Sequence, residues 1–163
     1  SDTQNSEMWY PRFRFAEALL IAAEAAYELG GTNKVKAVEY INRVRARGGI
    51  KELTESTITF EHIVNEYRVE FAFEDHRWWD LRRWRLAHTV WNGVIDSPTA
   101  QMYSLFPYKV YAPGSPYDGK WAFEKSRSYM APNARNFTMR CYYGSIDDGW
   151  INKNPKLVKN PLQ

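Results

Sequence analysis

Four carboxylates stand close together near the middle of the chain: Glu66, Glu70 and Glu74 at four-residue steps, then Asp80. Carboxylate pairs are the working parts of glycoside hydrolysis, where one carboxyl must be protonated while the other is ionised. The same residues suit an ion-pair lattice. Like charges at i,i+4 repel on an isolated helix, so the row calls for cations from elsewhere, and the nearby sequence is rich in them. Arg43, Arg45 and Arg47 precede the row, while Arg68, Arg77, Arg82 and Arg83 lie within or beside it. Guanidinium forks bind carboxylates bidentately and hold one helix in register on another. The lattice is the simpler account. Its expected members are Glu66, Glu70, Glu74, Arg77, Asp80 and Arg45, with no catalytic residue among them.

Other chemistry-bearing residues are weighed in the same way. Trp78, Trp79 and Trp84 alternate with arginines, a composition that stacks on single-stranded nucleic acid. At helical spacing these rings are expected to be core, with guanidinium groups against their edges. The net charge of +3 is mild, and no nucleic-acid partner is expected. His62, His76 and His88 lack metal-ligand spacing, and Cys141 is the lone cysteine, so neither a metal site nor an internal disulfide is expected. No Gly-rich phosphate loop or nucleophile elbow occurs, and no cofactor is expected. No run of about 18 apolar residues is present to span a bilayer.

Rings are the one class in excess: Trp, Tyr and Phe make up 16% of the chain. Several tyrosines, Tyr103, Tyr108, Tyr111, Tyr117 and Tyr129, fall together with Trp121 in a Pro-rich region. Rings on loops can offer flat platforms to sugar faces, with Asp118, Lys120 and Asn133 near enough in sequence to meet hydroxyls. Tyr108, Tyr111, Tyr117 and Trp121 are the candidate glycan-binding residues. The same rings also serve to pack loops onto helices.

The elements that must position these residues follow from periodicity. An alanine-rich helix is expected over Trp9–Leu29, with Pro11 in its first turn and Phe15, Leu19, Ala22, Ala23 and Ala26 on its apolar side. Gly30-Gly31 ends it. Thr32 or Asn33 then caps a second helix over Lys34–Ala46, with Val35, Val38, Ile41 and Val44 inward, closed by Gly48-Gly49. Thr59 caps a central helix whose stripe is Phe60, Ile63, Val64, Tyr67 and Phe71. It is expected to bend near Asp75–Arg77 and continue as a short helix to about Val90. After Gly93 the helical period stops. From Ser97 onward the chain holds all but one of its eight prolines, and loops with short strands are expected. Pro107 limits Phe106–Tyr111 to an edge strand, Asp118-Gly119 suits a hairpin tip, and Phe137–Tyr143 is the best strand candidate. The two Asn-Pro pairs at the end predict an extended strap.

The fold class expected is therefore mainly α, and the chain (residues 1–163) reads as one domain. A tetratricopeptide-like helical hairpin (11–48) and central helices (59–90) precede a long irregular segment of loops and short strands (97–163).

The stretch E-Y-R-V-E-F-A-F-E-D-H-R-W-W-D-L-R-R-W, Glu66–Trp84, resembles the signature of the SusD/RagB family. Three more stretches resemble that family in the same order. They are R-F-A-E-A-L-L-I-A-A-E-A-A-Y-E-L-G at Arg14–Gly30, A-V-E-Y-I-N-R-V-R-A-R-G-G-I at Ala37–Ile50, and N-P-K-L-V-K-N-P at Asn154–Pro161. The departures are local: Tyr67 stands where the family tends to have Arg, Asp75 where it prefers Gly, and Lys159 where Gln is usual. Ser145-Ile146-Asp147 replaces a Pro-Ile-Pro.

The resemblance implies an outer-membrane, cell-surface protein of the Bacteroidota that binds a glycan or related nutrient and passes it to a SusC-like TonB-dependent transporter. It implies membrane association only through an N-terminal lipid anchor, in a segment that precedes the part matched here. The resemblance covers the C-terminal part of such proteins, so an isolated C-terminal domain or a short relative is expected. Two alternatives stay open beside glycan capture. One is a helical scaffold that docks protein partners without a ligand site of its own, and the other is a glycosidase using the acidic row.

Overall fold

Alanine decides how the first two helices meet. α1 (Phe15–Leu29) buries Leu19, Leu20, Ala23 and Ala26, and α2 (Lys34–Arg47) buries Ala37, Ile41 and Val44. Ala23 and Ala37 have no exposed surface at all, so the two backbones approach closely, and Leu20 and Ile41 fill the layer between them. The computed structural model of the chain describes residues 11–128 and 131–162. It divides into two compact units between Asp80 and Leu81, and each is described separately.

The first unit is the helical hairpin with a third helix against it. Gly30 and Gly31 have φ of 65° and 53°, a region that side-chain-bearing residues enter only at a cost. The hairpin turn at these two positions thus needs glycine. α2 differs from expectation at its start. Asn33 makes no side-chain cap. A 3-10 turn over Gly31–Asn33 leads in instead, and the Asn33 and Lys34 amides donate to the Gly30 and Gly31 carbonyls. The free amides of the helix start are met by backbone, so no hydroxyl or amide cap is required.

α1 also starts later than its pattern suggests. Residues 11–14 are not helical, Pro11 is outside the helix, and Trp9 lies outside the described residues. Arg14 is the extended N-cap, with φ −146° and ψ 160°. That conformation accompanies a side chain held by Glu70 and Glu74. Phe15, expected inward, is 65% exposed. It lies under the guanidinium of Arg43 at 5.3 Å from the ring centre.

The connector after α2 is tied down from that helix, by Arg45 at Lys51 and by Asn42 at Leu53. Asn42 donates to the Leu53 carbonyl (2.8 Å) and accepts from the Leu53 amide (2.9 Å), which holds the buried Leu53 and Ile58 against the helices. α3 (Phe60–Glu70) then begins on Thr59. The Thr59 hydroxyl accepts from the His62 amide, and His62 Nδ1 accepts from the Thr59 amide, a reciprocal capping box. The expected stripe is inward: Ile63, Tyr67 and Phe71 are buried.

The central helix breaks earlier than expected, at Phe71–Asp75 and not at Asp75–Arg77. Phe73 and Asp75 sit at φ 68° and 60°. Two residues in the left-handed region cannot continue a right-handed helix. Asp75 is the position where the family pattern prefers Gly, and its positive φ supplies the reason. α4 (His76–Arg83) follows with Asp80 and Leu81 buried, while Trp78 and Trp79 are 44% and 66% exposed. The expectation that these tryptophans are core is corrected here. Residues 77, 80, 81 and 84 share one helix face, and Trp78 and Trp79 point away from it.

The second unit has its own apolar centre: Leu81, Ala87, Trp91, Phe137 and Tyr142, flanked by Leu86, Val90 and Tyr143. α5 (Ala87–Val90) is a single turn. Phe137–Tyr143 is not a strand. It holds one isolated bridge upstream, Asn92 to Asn136, and then a 3-10 turn over Met139–Tyr142. Phe137 and Tyr142 stack edge to face at 4.8 Å. Residues five apart lie on opposite faces of a strand, so bringing both into one cluster demands a turn.

The strands are β1 (Tyr103–Lys109) and β2 (Trp121–Arg127), an antiparallel pair joined by an eleven-residue loop over 110–120. With two strands both are edges, so Pro107 costs no central ladder bond. The Asp118-Gly119 turn closes the strand end of this longer loop, with Gly119 donating to the Val110 carbonyl. The tail is partly helical. α6 (Asp148–Lys153) is capped by Asp147, and Lys159, where the family usually has Gln, reaches Asp148 at 2.8 Å.

Candidate functional site

The acidic row comes from two kinds of backbone. Glu66 and Glu70 lie on α3, and Glu74 lies on the turn after it. Each meets arginine. Glu66 pairs with Arg45 at 2.6 Å, and these side chains are only 5% and 12% exposed. Glu70 takes Arg47 at 2.6 Å and also Arg14. Glu74 takes Arg14 through Nε and Nη2, at 2.8 and 2.9 Å. Hydrogen bonding to Glu74, opposed by burial and aided by Glu70, raises the Arg14 pKa further. The Arg14 guanidinium also lies 4.7 Å from the Phe71 ring centre. Arg14 is thus the hub, and it is absent from the expected set. No periodicity marks it, because it precedes α1 and its partners stand 56 and 60 residues away.

Arg77 is placed differently. Burial is the main reason the Arg77 pKa is lowered, Arg68 adds to it, and Asp80 opposes it. Arg77 Nη1 is buried and finds no hydrogen-bond partner among the described residues. Arg43, with the spacing of Arg45 and Arg47, covers Phe15 instead of a carboxylate. Each of the three glutamates is already committed to a guanidinium from another part of the chain. The three glutamates are arranged as anchors for α1, α2 and α3.

An open cleft in the first unit is lined by Glu17, Glu74, Asp75, His76, Trp79 and Asp80. His76 Nε2 stands 3.9 Å from Glu17, and the His76 ring stacks on Phe71 at 4.3 Å. Among the described residues no group of three or more His, Cys, Asp or Glu is placed to hold a metal ion. No described helix is long and apolar enough to cross a membrane.

The four candidate rings belong to one hairpin of the second unit, but not to one face. Tyr108 pairs with Ala122, and Trp121 pairs with Lys109. Cross-strand partners share a face and neighbours along a strand alternate, so Tyr108 and Trp121 stand on opposite sides. Tyr111 and Tyr117 lie on the connecting loop, 88% and 65% exposed. Lys120 lies over the Tyr117 ring at 5.5 Å. Asp118 is committed to the loop, accepting the Ala112 amide at 2.8 Å. Tyr129 lies outside the described residues. The companions of Trp121 on its face are Leu105, Pro107 and Phe123, and Phe106 joins Tyr108 on the other. The alternation of W-A-F-E-K-S-R held this information, but only the register says which rings meet.

The base of the hairpin is tied by a cluster of three. Tyr103 donates to Asp96 at 2.6 Å, and Arg127 reaches both Asp96 oxygens at 3.0 Å. The Tyr103 hydroxyl first, and Arg127 second, hold the Asp96 carboxyl below its ordinary range. The same bond raises the Tyr103 phenol. Arg127 stands 24 residues from Tyr103 and 31 from Asp96, beyond what spacing could suggest.

A family model described as the SusD family matches residues 1–162. The SusD-like protein P2 of Formosa agariphila is 36% identical over 101 residues, 55% of this chain and 20% of that protein. The starch-binding protein SusD of Bacteroides thetaiotaomicron is 33% identical over 107 residues, 61% of this chain and 18% of that protein. The crystal structure of a SusD-like protein from Bacteroides fragilis superposes with a TM-score of 0.66 at 27% identity, covering 93% of this chain and 25% of that one. The chain spans about a fifth of the length of these curated relatives.

Proposed function

The chain belongs to the SusD family, and from that premise we propose that it is part of a cell-surface protein that captures a glycan or related nutrient. The bound nutrient passes to a SusC-like TonB-dependent transporter in the outer membrane, to which the protein is held by a lipid anchor. Capture is non-covalent, by ring stacking on sugar faces and hydrogen bonds at their rims, with no bond made or broken. Two relations support this reading: the family membership, and the likeness to a protein whose own name is starch-binding. The observation that carries it is the hairpin. Tyr108, Tyr111, Tyr117 and Trp121 are all more than half exposed on β1, β2 and their loop, and exposed rings concentrated on one element suit a flat ligand.

Affinity electrophoresis of the whole chain in gels carrying soluble polysaccharides tests the reading. Retardation by at least one polysaccharide is expected. Trp121→Ala should weaken it about tenfold, since truncating a central ring at a binding face costs upwards of 1 kcal/mol. No retardation in any gel, or full retention of binding by the variant, would overturn the role given to this hairpin.

The scaffold reading has one observation in its favour. Phe73 is fully exposed on a left-handed backbone, and Trp79 on α4 is 66% exposed. Bare rings on a helical surface suit protein docking. A chain that retains no polysaccharide but captures the transporter would favour it.

A further inference from the structure

The two faces of the hairpin differ in charge. On the face of Trp121 the rungs are Tyr103 with Arg127, Leu105 with Lys125, Pro107 with Phe123, and Lys109 with Trp121. It carries three cations and no carboxylate of its own strands. The opposite face carries Phe106, Tyr108 and Glu124, and its small residues Ser104, Ala122 and Ser126 are half-buried. Both faces expose rings, Phe106 and Tyr108 on one and Trp121 and Phe123 on the other, but only the cationic face sets exposed apolar residues, Leu105, Phe123 and Trp121, between lysines.

We propose that the cationic face binds an acidic polysaccharide, one whose sugars bear carboxylate or sulfate groups. The proposal rests on the glycan reading above and narrows it to a charge class. The middle rung, Pro107 with Phe123, and the neighbouring Trp121 form a flat apolar strip for sugar rings. Cations flank the strip along the strand. Lys109 lies at one end and Lys125 at the other, four residues on, which is about 13 Å at the usual strand rise. Lys125 already stands 3.9 Å from the Tyr103 ring centre, which holds its ammonium at the face. Arg127 is largely compensated by Asp96, so Lys109 and Lys125 are the two charges available to a ligand. A neutral glycan would use the rings and leave both lysines idle, whereas a regularly charged polymer meets rings and cations along one line.

The test uses the whole chain and matched pairs of polymers: polygalacturonate against its methyl ester, and dextran sulfate against dextran. Anionic phosphatidylglycerol vesicles form a third arm. A charged polymer is expected to bind about tenfold more tightly than its neutral counterpart at low salt, as two exposed ion pairs allow. The advantage should shrink toward 0.5 M salt. Lys109→Ala with Lys125→Ala should abolish the preference and leave binding of the neutral polymer unchanged. Trp121→Ala should weaken both members of the pair. Equal binding of charged and neutral polymers, or a preference that survives loss of both lysines, overturns the proposal while leaving glycan capture intact. Binding to none of the four polymers overturns both. Binding to vesicles alone, lost in the double-lysine variant, assigns the face to a lipid surface and overturns it as well.

Discussion

Replacing Arg45 with alanine separates a buried ion pair from an exposed one within a single lattice. Arg45 and Glu66 are 12% and 5% exposed and 2.6 Å apart. Arg45 also donates from Nε and Nη2 to the Lys51 carbonyl, at 2.9 and 2.6 Å. Arg45→Ala leaves Glu66 buried without that partner and the Lys51 carbonyl without those donors. Breaking one side of a buried pair costs about 3–5 kcal/mol, because the remaining charge keeps its desolvation penalty. Arg47 makes a bond of the same length to Glu70 but is 68% exposed. Solvent screens it, Glu70 retains Arg14, and Arg47→Ala should cost no more than about 1 kcal/mol.

Urea unfolding followed by far-ultraviolet circular dichroism reads the difference. With a slope of about 2 kcal/mol per molar urea, Arg45→Ala should lower the midpoint by roughly 1.5–2.5 M and Arg47→Ala by no more than about 0.5 M. The joint replacement Arg45→Met with Glu66→Leu should recover most of the loss, since it removes both charges from the interior. Equal midpoints for the two alanine variants would refute the reasoning. So would a joint replacement as damaging as Arg45→Ala, which would mean that the hydrogen bonds, and not the charges, hold the helices.

Two further outcomes follow from single residues. Gly93 has φ of 75°, and an added Cβ would stand 3.0 Å from Asn136 Cγ. Gly93→Ala should destabilise the second unit by about 2 kcal/mol, combining left-handed strain with overpacking. Unfolding followed by tryptophan fluorescence checks this, and an unchanged midpoint would mean that neither the positive φ nor the contact with Asn136 resists a Cβ at this position. Asp96 has its pKa depressed by the Tyr103 hydroxyl and Arg127. Its contribution to holding the hairpin is therefore present above the unfolded-state pKa of about 3.9, and is lost as pH falls through the lower folded-state value. An NMR titration of the Asp96 carboxyl should show a midpoint below the ordinary aspartate range. Tyr103→Phe should move it upward, and an unmoved midpoint would assign the depression to Arg127 alone.

Local chemistry alone located much of the fold. Gly30-Gly31, Thr59 and the stripe of Ile63, Tyr67 and Phe71 placed the hairpin and the start of α3, because caps and periodicity act within a few residues of themselves. The family signature over Glu66–Trp84 was legible for the same reason. What failed were features decided by distant partners. Helical spacing placed Trp78 and Trp79 inside, yet the packed face of α4 runs through Asp80 and Leu81. The alternation of Phe137–Tyr143 suggested a strand, yet Phe137 and Tyr142 must both reach the cluster around Trp91, and that forces a turn. Arg14 was invisible as the hub of the ion pairs, because it draws its partners from the far end of α3 and the turn beyond. The rings of the hairpin were evident as residues, but their sidedness was not. Which ring faces which lysine depends on register, and register is set by a pairing closed across a loop of eleven residues. Composition and short-range pattern thus determined the helices and the family, while the ion-pair hub and the charged face of the hairpin exist only where the folded chain brings separated residues together.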